Sequence, residues 1–110
     1  MACTIKGTDI YLTRGDTLYL EITINRQDGT EYVIQDGDKV RFAMKKRVTD
    51  PTPVLIKDID PNSLIMKIFP EDTKSLPMKS EYYYDIELTQ TNGDVSTFIS
   101  GKFIVMEEVH

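Results

Sequence analysis

The sequence lacks most of the residue types from which catalytic and metal sites are built. Its 110 residues include one cysteine, one histidine and no tryptophan. A single cysteine excludes an intramolecular disulfide and a zinc cluster made of thiolates. The only histidine, His110, has no second histidine to pair with, and no serine or cysteine lies in the glycine pattern of a nucleophile elbow. The sequence therefore predicts no enzyme activity.

Binding sites for metals and cofactors are equally hard to assemble from these residues. No glycine-rich loop precedes a lysine, so a phosphate cradle is not offered. Asp58, Asp60 and Asn62 have the spacing that opens a calcium loop, but Ser63 replaces the glycine of position six and Phe69 replaces the final glutamate. These residues are interpreted as solvated loop positions, and we expect neither a metal nor a cofactor.

Long apolar runs and an excess of positive charge are also missing. No stretch of about 18 apolar residues is present, as a spanning helix requires, and "MACTIKG" lacks the apolar core of a signal peptide. We therefore expect a protein that stays in the cytosol until something releases it and that does not bind membranes. The 18 acidic and 13 basic side chains give a net charge of -5, which disfavours nucleic acid as a partner.

What the sequence does contain is a hydrophobic period of two. In "TLYLEITIN", Leu18, Leu20, Ile22 and Ile24 alternate with polar residues, which is typical of a half-buried strand. Similar alternation marks further strands in "DIYL", "VRFAMKK", "PVLIK", "LIMKIF", "YYYDIELT" and "STFISGKFIVM". About seven strands at this spacing predict one all-β domain over residues 1–110, either a sandwich or a barrel.

The segments between these strands have the composition of turns. Asp28-Gly29 and Asn92-Gly93 are interpreted as hairpin turns, and Asp36-Gly37 as a further turn. Prolines between residues 49 and 62 predict an irregular crossing with a short edge strand. "EDTKSL" predicts one short helical turn near 71–76, with Leu76 closing an end of the core. Gly101, inside the last run, predicts a bulge or a close backbone approach.

The tripeptide Arg14-Gly15-Asp16 raises the question of cell adhesion. It lies between two apolar alternating runs, where a glycine supplies the permissive backbone of a short turn. An adhesion ligand needs a projecting loop on an extracellular protein, and no secretion signal supports that setting. We interpret the tripeptide as turn chemistry.

Charged and aromatic residues on the outward phases offer several surfaces. Arg41, Lys45, Lys46 and Arg47 could bind anions, or form cross-strand pairs with the strand that carries Asp85 and Glu87, which we favour. Tyr11, Tyr19 and Tyr83 could stack on sugars, anchor a protein partner or be ordinary surface aromatics. All three alternatives stay open.

The last strand suggests a candidate protein-contact face. Ile104 and Met106 fall on its outward phase, and Phe98 shares that phase if no bulge intervenes. With Tyr83 on a neighbouring strand, these side chains exceed the scattered apolar residues normal for a surface. We hypothesise that Tyr83, Phe98, Ile104 and Met106 contact another protein or a second copy. The alternative is that the chain end folds over them.

The order of the motifs resembles a known family. "RGDT", "GDKVRF", "EDTKSL", "YYYDIEL" and "GDVSTFISGKFIV" follow one another as in the small immunoglobulin-like module of phage tail and baseplate proteins. The chain is similar above all to the N-terminal domain of the phage baseplate upper protein, over nearly its whole length.

The resemblance implies an immunoglobulin-like antiparallel β-sandwich of about seven strands that builds or decorates a phage or prophage particle. It implies a non-enzymatic structural role through contacts with other phage structural proteins or with itself. The protein would be found in the virion, or in the cytoplasm of the bacterial host before assembly. The alternative function is a ligand-binding module for cell-surface carbohydrate.

Overall fold

Within the residues that the structure describes, the fold consists of eight β-strands and one short helix. A computed structural model of the chain describes residues 3–6, 8–25, 28–77 and 79–107. The elements, in chain order, are β1 (Cys3–Lys6), β2 (Asp9–Thr13), β3 (Leu18–Glu21), β4 (Lys39–Lys45), β5 (Leu55–Ile59), β6 (Ile65–Ile68), α1 (Pro70–Lys74), β7 (Ser80–Thr89) and β8 (Val95–Met106). The prediction of an all-β protein with one helical turn is confirmed.

The strands form a large sheet and a small one. The large sheet has the order β1-β2-β8-β7-β4-β5, and β3 pairs with β6 in the small sheet. All pairs are antiparallel except β2 with β8, which are parallel. A purely antiparallel architecture is therefore wrong at this one pair. Alternating hydrophobicity identifies the buried face of a strand, but not the direction of the strand beside it.

One hydrophobic core lies between the two sheets. β7 is its central element, with a buried residue at every second position: Ser80, Tyr82, Tyr84, Ile86 and Leu88. β4 contributes Val40, Phe42 and Met44, which are almost fully buried, as the alternation predicts. The Phe42 ring lies 5.4 Å from the Tyr84 ring and 6.3 Å from that of Phe103, measured between centroids. These aromatic contacts join three neighbouring strands of the large sheet.

The first long strand of the sequence prediction is shorter than expected. β3 ends at Glu21, although Ile22 and Ile24 remain buried beyond it. The backbone continues through single hydrogen bonds, with Ile22 N donating to Leu64 O at 2.8 Å and Tyr32 N donating to Ile24 O at 2.8 Å. The alternation therefore predicts burial correctly even where the ladder of a regular strand has ended.

The connections follow the turn chemistry of the sequence. Asn92 and Gly93 close the β7–β8 hairpin, in which Gln90 N donates to Asp94 O and Gly93 has a φ of 93°. The turn at Asp28-Gly29 joins segments that share the bridge Asn25 to Glu31. β5 is one of the two edge strands of the large sheet. The hairpin at Asn92-Gly93 and the edge strand are confirmed, whereas Asp28-Gly29 lies in a turn beside a single isolated bridge and not between two paired strands.

An ion pair links the helix to the large sheet. Lys57 Nζ of β5 lies 2.7 Å from Asp72 Oδ2, and both side chains are largely buried. The same carboxylate oxygen accepts a 2.7 Å hydrogen bond from Phe69 N, which precedes the helix. Leu76 follows α1 and packs against the core, as predicted.

Gly101 marks a close backbone approach rather than the bulge. A Cβ atom at this position would lie 2.6 Å from Thr8 O, well inside van der Waals contact. Thr8 Oγ1 donates to Ser100 O at 2.7 Å, which holds the two segments together just before β2 begins. The absent side chain therefore lets the start of β2 approach β8.

Replacing Gly101 by alanine should lower the free energy of unfolding by about 1–3 kcal/mol, because the new methyl group collides with the Thr8 backbone. Chemical denaturation measures this loss. Ser100→Ala is the matched control, since the Ser100 side chain is exposed in the same strand. Equal stability of the two variants would show that Thr8 does not lie against Gly101.

Candidate functional site

The candidate site is the outer face of the large sheet, which consists of the side chains that point away from the core. β7 presents every second residue there: Glu81, Tyr83, Asp85, Glu87 and Thr89. The neighbouring strands place their own outward residues in register with these. The face is therefore organised in rows that run across the strands.

Tyr83 lies near the centre of this face, between two lysines. Its cross-strand neighbours are Lys45 on β4 and Lys102 on β8. Together with Ala43, Val48 and Asp85, these residues line an open depression of about 500 Å³. A half-exposed aromatic ring between two cations is an arrangement suited to a protein partner with mixed apolar and polar surface.

Apolar side chains extend the site to both sides of Tyr83. Tyr83 is 41% exposed, Ile56 of β5 is 47% exposed and Met106 of β8 is 42% exposed. Ile56 is paired with Ala43, so the two form an apolar step beside the Tyr83 depression. Ile104 is half-buried, paired with Tyr11 on one side and with Glu81 on the other. Three of the four predicted contact residues therefore share this face.

Phe98 does not belong to the outer face. The β7–β8 register shifts between Ile86, opposite Ile99, and Glu87, opposite Thr97, which leaves Phe98 as the extra residue of a β-bulge. Its side chain is partly buried and packs against the core. The prediction for Phe98 depended on uninterrupted alternation and is wrong, because the bulge reverses the phase between Thr97 and Ile99.

Ile56 is the member of the site that the sequence does not reveal. The run Val54-Leu55-Ile56 contains three consecutive aliphatic residues, so periodicity does not say which of them points outward. The pairing of Ile56 with Ala43 settles the question. Proline residues on both sides of β5 indicate an edge strand. This was the sequence signal that could have drawn attention to Ile56, because an exposed isoleucine on an edge strand is available to a partner.

The cross-strand charge pairing that the sequence predicts is present only in part. Arg41 pairs with Asp58 of β5, whereas Glu87 and Lys45 have no ion-pair partner within 4.0 Å among the described residues. Arg41 of β4 is opposite Glu87 of β7 and opposite Asp58 of β5. Its Nε atom donates to Asp58 Oδ1 at 3.1 Å. Because the Arg41 and Asp58 side chains are exposed, their pair contributes only a few tenths of a kcal/mol to stability. These charges matter for the site because strand pairing holds them in a fixed order on the surface.

The other exposed tyrosine with a predicted outward phase lies elsewhere. Tyr19 is on β3 in the small sheet, where its ring meets the edge of the Phe69 ring at 6.5 Å between centroids. Lys67 Nζ lies 5.9 Å from the centre of the same ring. Tyr19 and Tyr83 are thus on different sheets and do not form one platform.

The segment Arg14-Gly15-Asp16 is a turn packed against α1. Gly15 has a φ of 84°, and its N–H donates to Thr73 Oγ1 at 2.8 Å. Asp16 N donates to Thr13 O at 3.0 Å, which closes the turn after β2. All three residues are half-buried. The interpretation of the tripeptide as a turn is confirmed.

No metal site emerges from the part of the chain that the structure describes. Among those residues no three His, Cys, Asp or Glu side chains are grouped as ligands. Asp60 Oδ1 instead accepts a 2.9 Å hydrogen bond from Asn62 N in a local turn. His110 lies outside the described residues. No helix in the described ranges is long and apolar enough to cross a bilayer.

Among the described residues, Tyr84 carries the one ionisable group with a large shift of its pKa. Its hydroxyl donates to Thr8 O, next to the backbone approach at Gly101. Burial, with a smaller contribution from the charge of Asp9, raises the pKa of Tyr84 to about 12. The neutral hydroxyl therefore persists to high pH and holds the segment before β2 against the large sheet.

Searches against protein-family models, curated proteins and solved structures find no match to this chain. The function must therefore be argued from the outer face itself and from the order of the sequence motifs.

The raised pKa of Tyr84 predicts a specific loss of stability in alkali. The unfolded protein releases this proton near pH 10 and the folded protein near 12, so unfolding becomes easier as the pH rises through that window. The Tyr84→Phe variant should lose less stability than the parent between these two pH values. Ultraviolet difference titration of parent against variant should show one phenol ionising near 12. An ionisation near pH 10 would contradict the assignment.

Proposed function

We propose that the chain is a non-enzymatic structural module of a phage or prophage particle, acting through protein–protein contacts. The observation that carries the proposal is the outer face, where Tyr83, Ile56 and Met106 are exposed on firmly paired strands. Sheet faces that display several large apolar side chains are typical of interaction surfaces. A rigid sheet also presents them with little loss of conformational entropy on binding.

The strand order supports the finer proposal of an immunoglobulin-like sandwich. In the variable type of that fold, four strands of one sheet are joined in the order G-F-C-C′, and the other sheet contains the neighbouring strands B and E. Here β8-β7-β4-β5 corresponds to the first set and β3-β6 to the second. Two features are additional: the β1–β2 pair and the restriction of the small sheet to two strands.

The motifs on which the resemblance depends lie at structurally important positions. "RGDT" forms the turn between β2 and β3, "EDTKSL" spans α1 and its end, and "YYYDIEL" is the centre of β7. The same ordered elements therefore account for the turn, the helix and the central strand. The proposed relation to the tail and baseplate modules of phages rests on the order of these motifs in the sequence.

The net charge of the chain is compatible with a protein partner and unfavourable for nucleic acid. With a net charge of -5, the chain does not attract a phosphate backbone, and the lysines beside Tyr83 are accompanied by Asp9 and Asp85. We propose other phage structural proteins or copies of the chain as partners. The place of action is the virion, or the host cytoplasm before assembly.

Carbohydrate binding is the second candidate, and the Tyr83 depression is where it would occur. A tyrosine ring with Asp85 and Lys102 beside it offers stacking and hydrogen bonding to a sugar. A glycan array separates the two proposals. Selective glycan binding that disappears in Tyr83→Ala would favour the second, whereas a structural module should show no selectivity.

The proposed function predicts that the chain copurifies with particles of the phage or induced prophage that encodes it. Mass spectrometry and immunogold labelling of purified particles measure its incorporation. Ile104→Lys together with Met106→Lys should reduce incorporation by about tenfold, because two charges then interrupt the apolar contact. The fold should survive, which circular dichroism checks.

The matched control is Tyr19→Lys, which changes an exposed aromatic on the small sheet. It should leave incorporation unchanged. Particles that contain none of the chain, or that incorporate the double variant like the parent, would contradict the proposal.

A further inference from the structure

We infer that the outer face binds the outer face of a second copy around a two-fold axis that runs parallel to the strands between β4 and β7. The inference rests on the proposed function and specifies its partner. In this arrangement β7 of one copy lies over β4 of the other, and each row of the face meets the same row of its partner. The structure identifies which side chains would then meet.

The charges of β4 and β7 are self-complementary under this symmetry. Arg41 and Glu87 are direct cross-strand neighbours, so the axis between them brings Glu87 of each copy over Arg41 of the other. Lys45 and Tyr83 are also direct neighbours, so each tyrosine ring meets the lysine of the partner. Two ion pairs and two cation–π contacts result from one isologous interface.

The groups that would meet retain free bonding capacity. In the described part of the chain, Glu87 and Lys45 have no ion-pair partner within 4.0 Å. Arg41 uses its Nε atom for Asp58, which leaves the other N–H groups of the guanidinium available. Tyr83 forms no contact with a neighbouring ring or cation among the described residues.

The alternative two-fold axis, which runs across the strands through Asp85 and Ala43, is unfavourable. It would place Asp85 over Asp85 of the partner and Lys45 over Arg41 of the partner, so that like charges would meet at the centre of the interface. Like charges in contact across an interface cost several kcal/mol. The order of charges therefore favours the axis parallel to the strands, on which Asp85 of each copy meets Ala43 of the partner instead of another carboxylate.

The overlap of the two faces is that of a small interface. With the axis between β4 and β7, β7 lies over β4 and β8 lies over β5, whereas β2 lies beyond the edge strand of the partner. Eight outward positions on β4 and β7 and four on β5 and β8 are covered in each copy, which at about 33 Å² per position gives roughly 400 Å² of planar area. An interface of this size is typical of a weak dimer. Aligned sheets pack at about 30°, and the pairs nearest the axis, those of β4 and β7, are displaced least by that rotation.

The test is a charge exchange between two variants. In a dimer of the Glu87→Arg variant, arginine faces arginine across the interface, and in a dimer of Arg41→Glu, glutamate faces glutamate. The dimer dissociation constant of each variant should therefore be at least about tenfold higher than that of the parent. A mixture of the two variants restores both attractive pairs. Analytical ultracentrifugation should then show a heterodimer with an affinity within about threefold of the parent.

Glu21→Arg is the matched control, because Glu21 is exposed on the small sheet and should not affect dimerisation. If Arg41→Glu fails to fold, Tyr83→Lys mixed with Lys45→Glu tests the row of Lys45 and Tyr83, because the mixture brings the introduced lysine over the introduced glutamate. Recovery of the heterodimer in either mixture supports the inference.

A parent that remains monomeric to about 0.5 mM, where even a weak complex would be seen, overturns the inference. So does a mixture that associates no better than the single variants. A monomeric chain that is still incorporated into particles would leave the proposed function intact while excluding a second copy as the partner.

Discussion

The register of β7 is the constraint on which both the core and the candidate site depend. Its ten residues alternate strictly, with Tyr82, Tyr84, Ile86 and Leu88 turned inward and Tyr83, Asp85 and Glu87 turned outward. A slip by one residue would exchange the two sets, because side chains alternate with a period of two. Three carboxylates, those of Glu81, Asp85 and Glu87, would then enter the core without partners, at a cost of several kcal/mol each. The inward tyrosines and aliphatics therefore determine where the outward charges lie.

Three local features fix this register along the length of the sheet. The hairpin at Asn92-Gly93 sets the start of β8 against the end of β7. The bulge at Phe98 inserts one residue, after which Phe103 and Val105 face the core and Ile104 and Met106 face outward. At Gly101 the absent side chain admits the Thr8 backbone, and the Tyr84 hydroxyl binds it from the neighbouring strand. The parallel β2–β8 pair begins directly after this point.

These features also explain how much could be predicted from sequence. Local alternation is enough to identify the inward residues of β4 and β7, because each strand has one apolar face. The turn glycines and the short helix follow from local backbone preferences in the same way. The bulge at Phe98 and the parallel partner of β8 were not predictable, because both depend on residues distant in sequence. Consequently Tyr83, Ile104 and Met106 are placed correctly on one face, Phe98 is not, and Ile56 is missed.

The same cross-strand pairing gives the outer face its chemical character. In an antiparallel pair, neighbouring strands stabilise each other best when opposite charges are adjacent, so Arg41 lies between Asp58 and Glu87. A surface on which opposite charges alternate across strands becomes complementary to itself when it is turned about an axis parallel to those strands. The intramolecular contribution of each exposed pair is small, since water screens it. Between two copies the same groups would be partly desolvated, and the same pairs would contribute more. Selection for a stable register would thus also produce a surface suited to self-association.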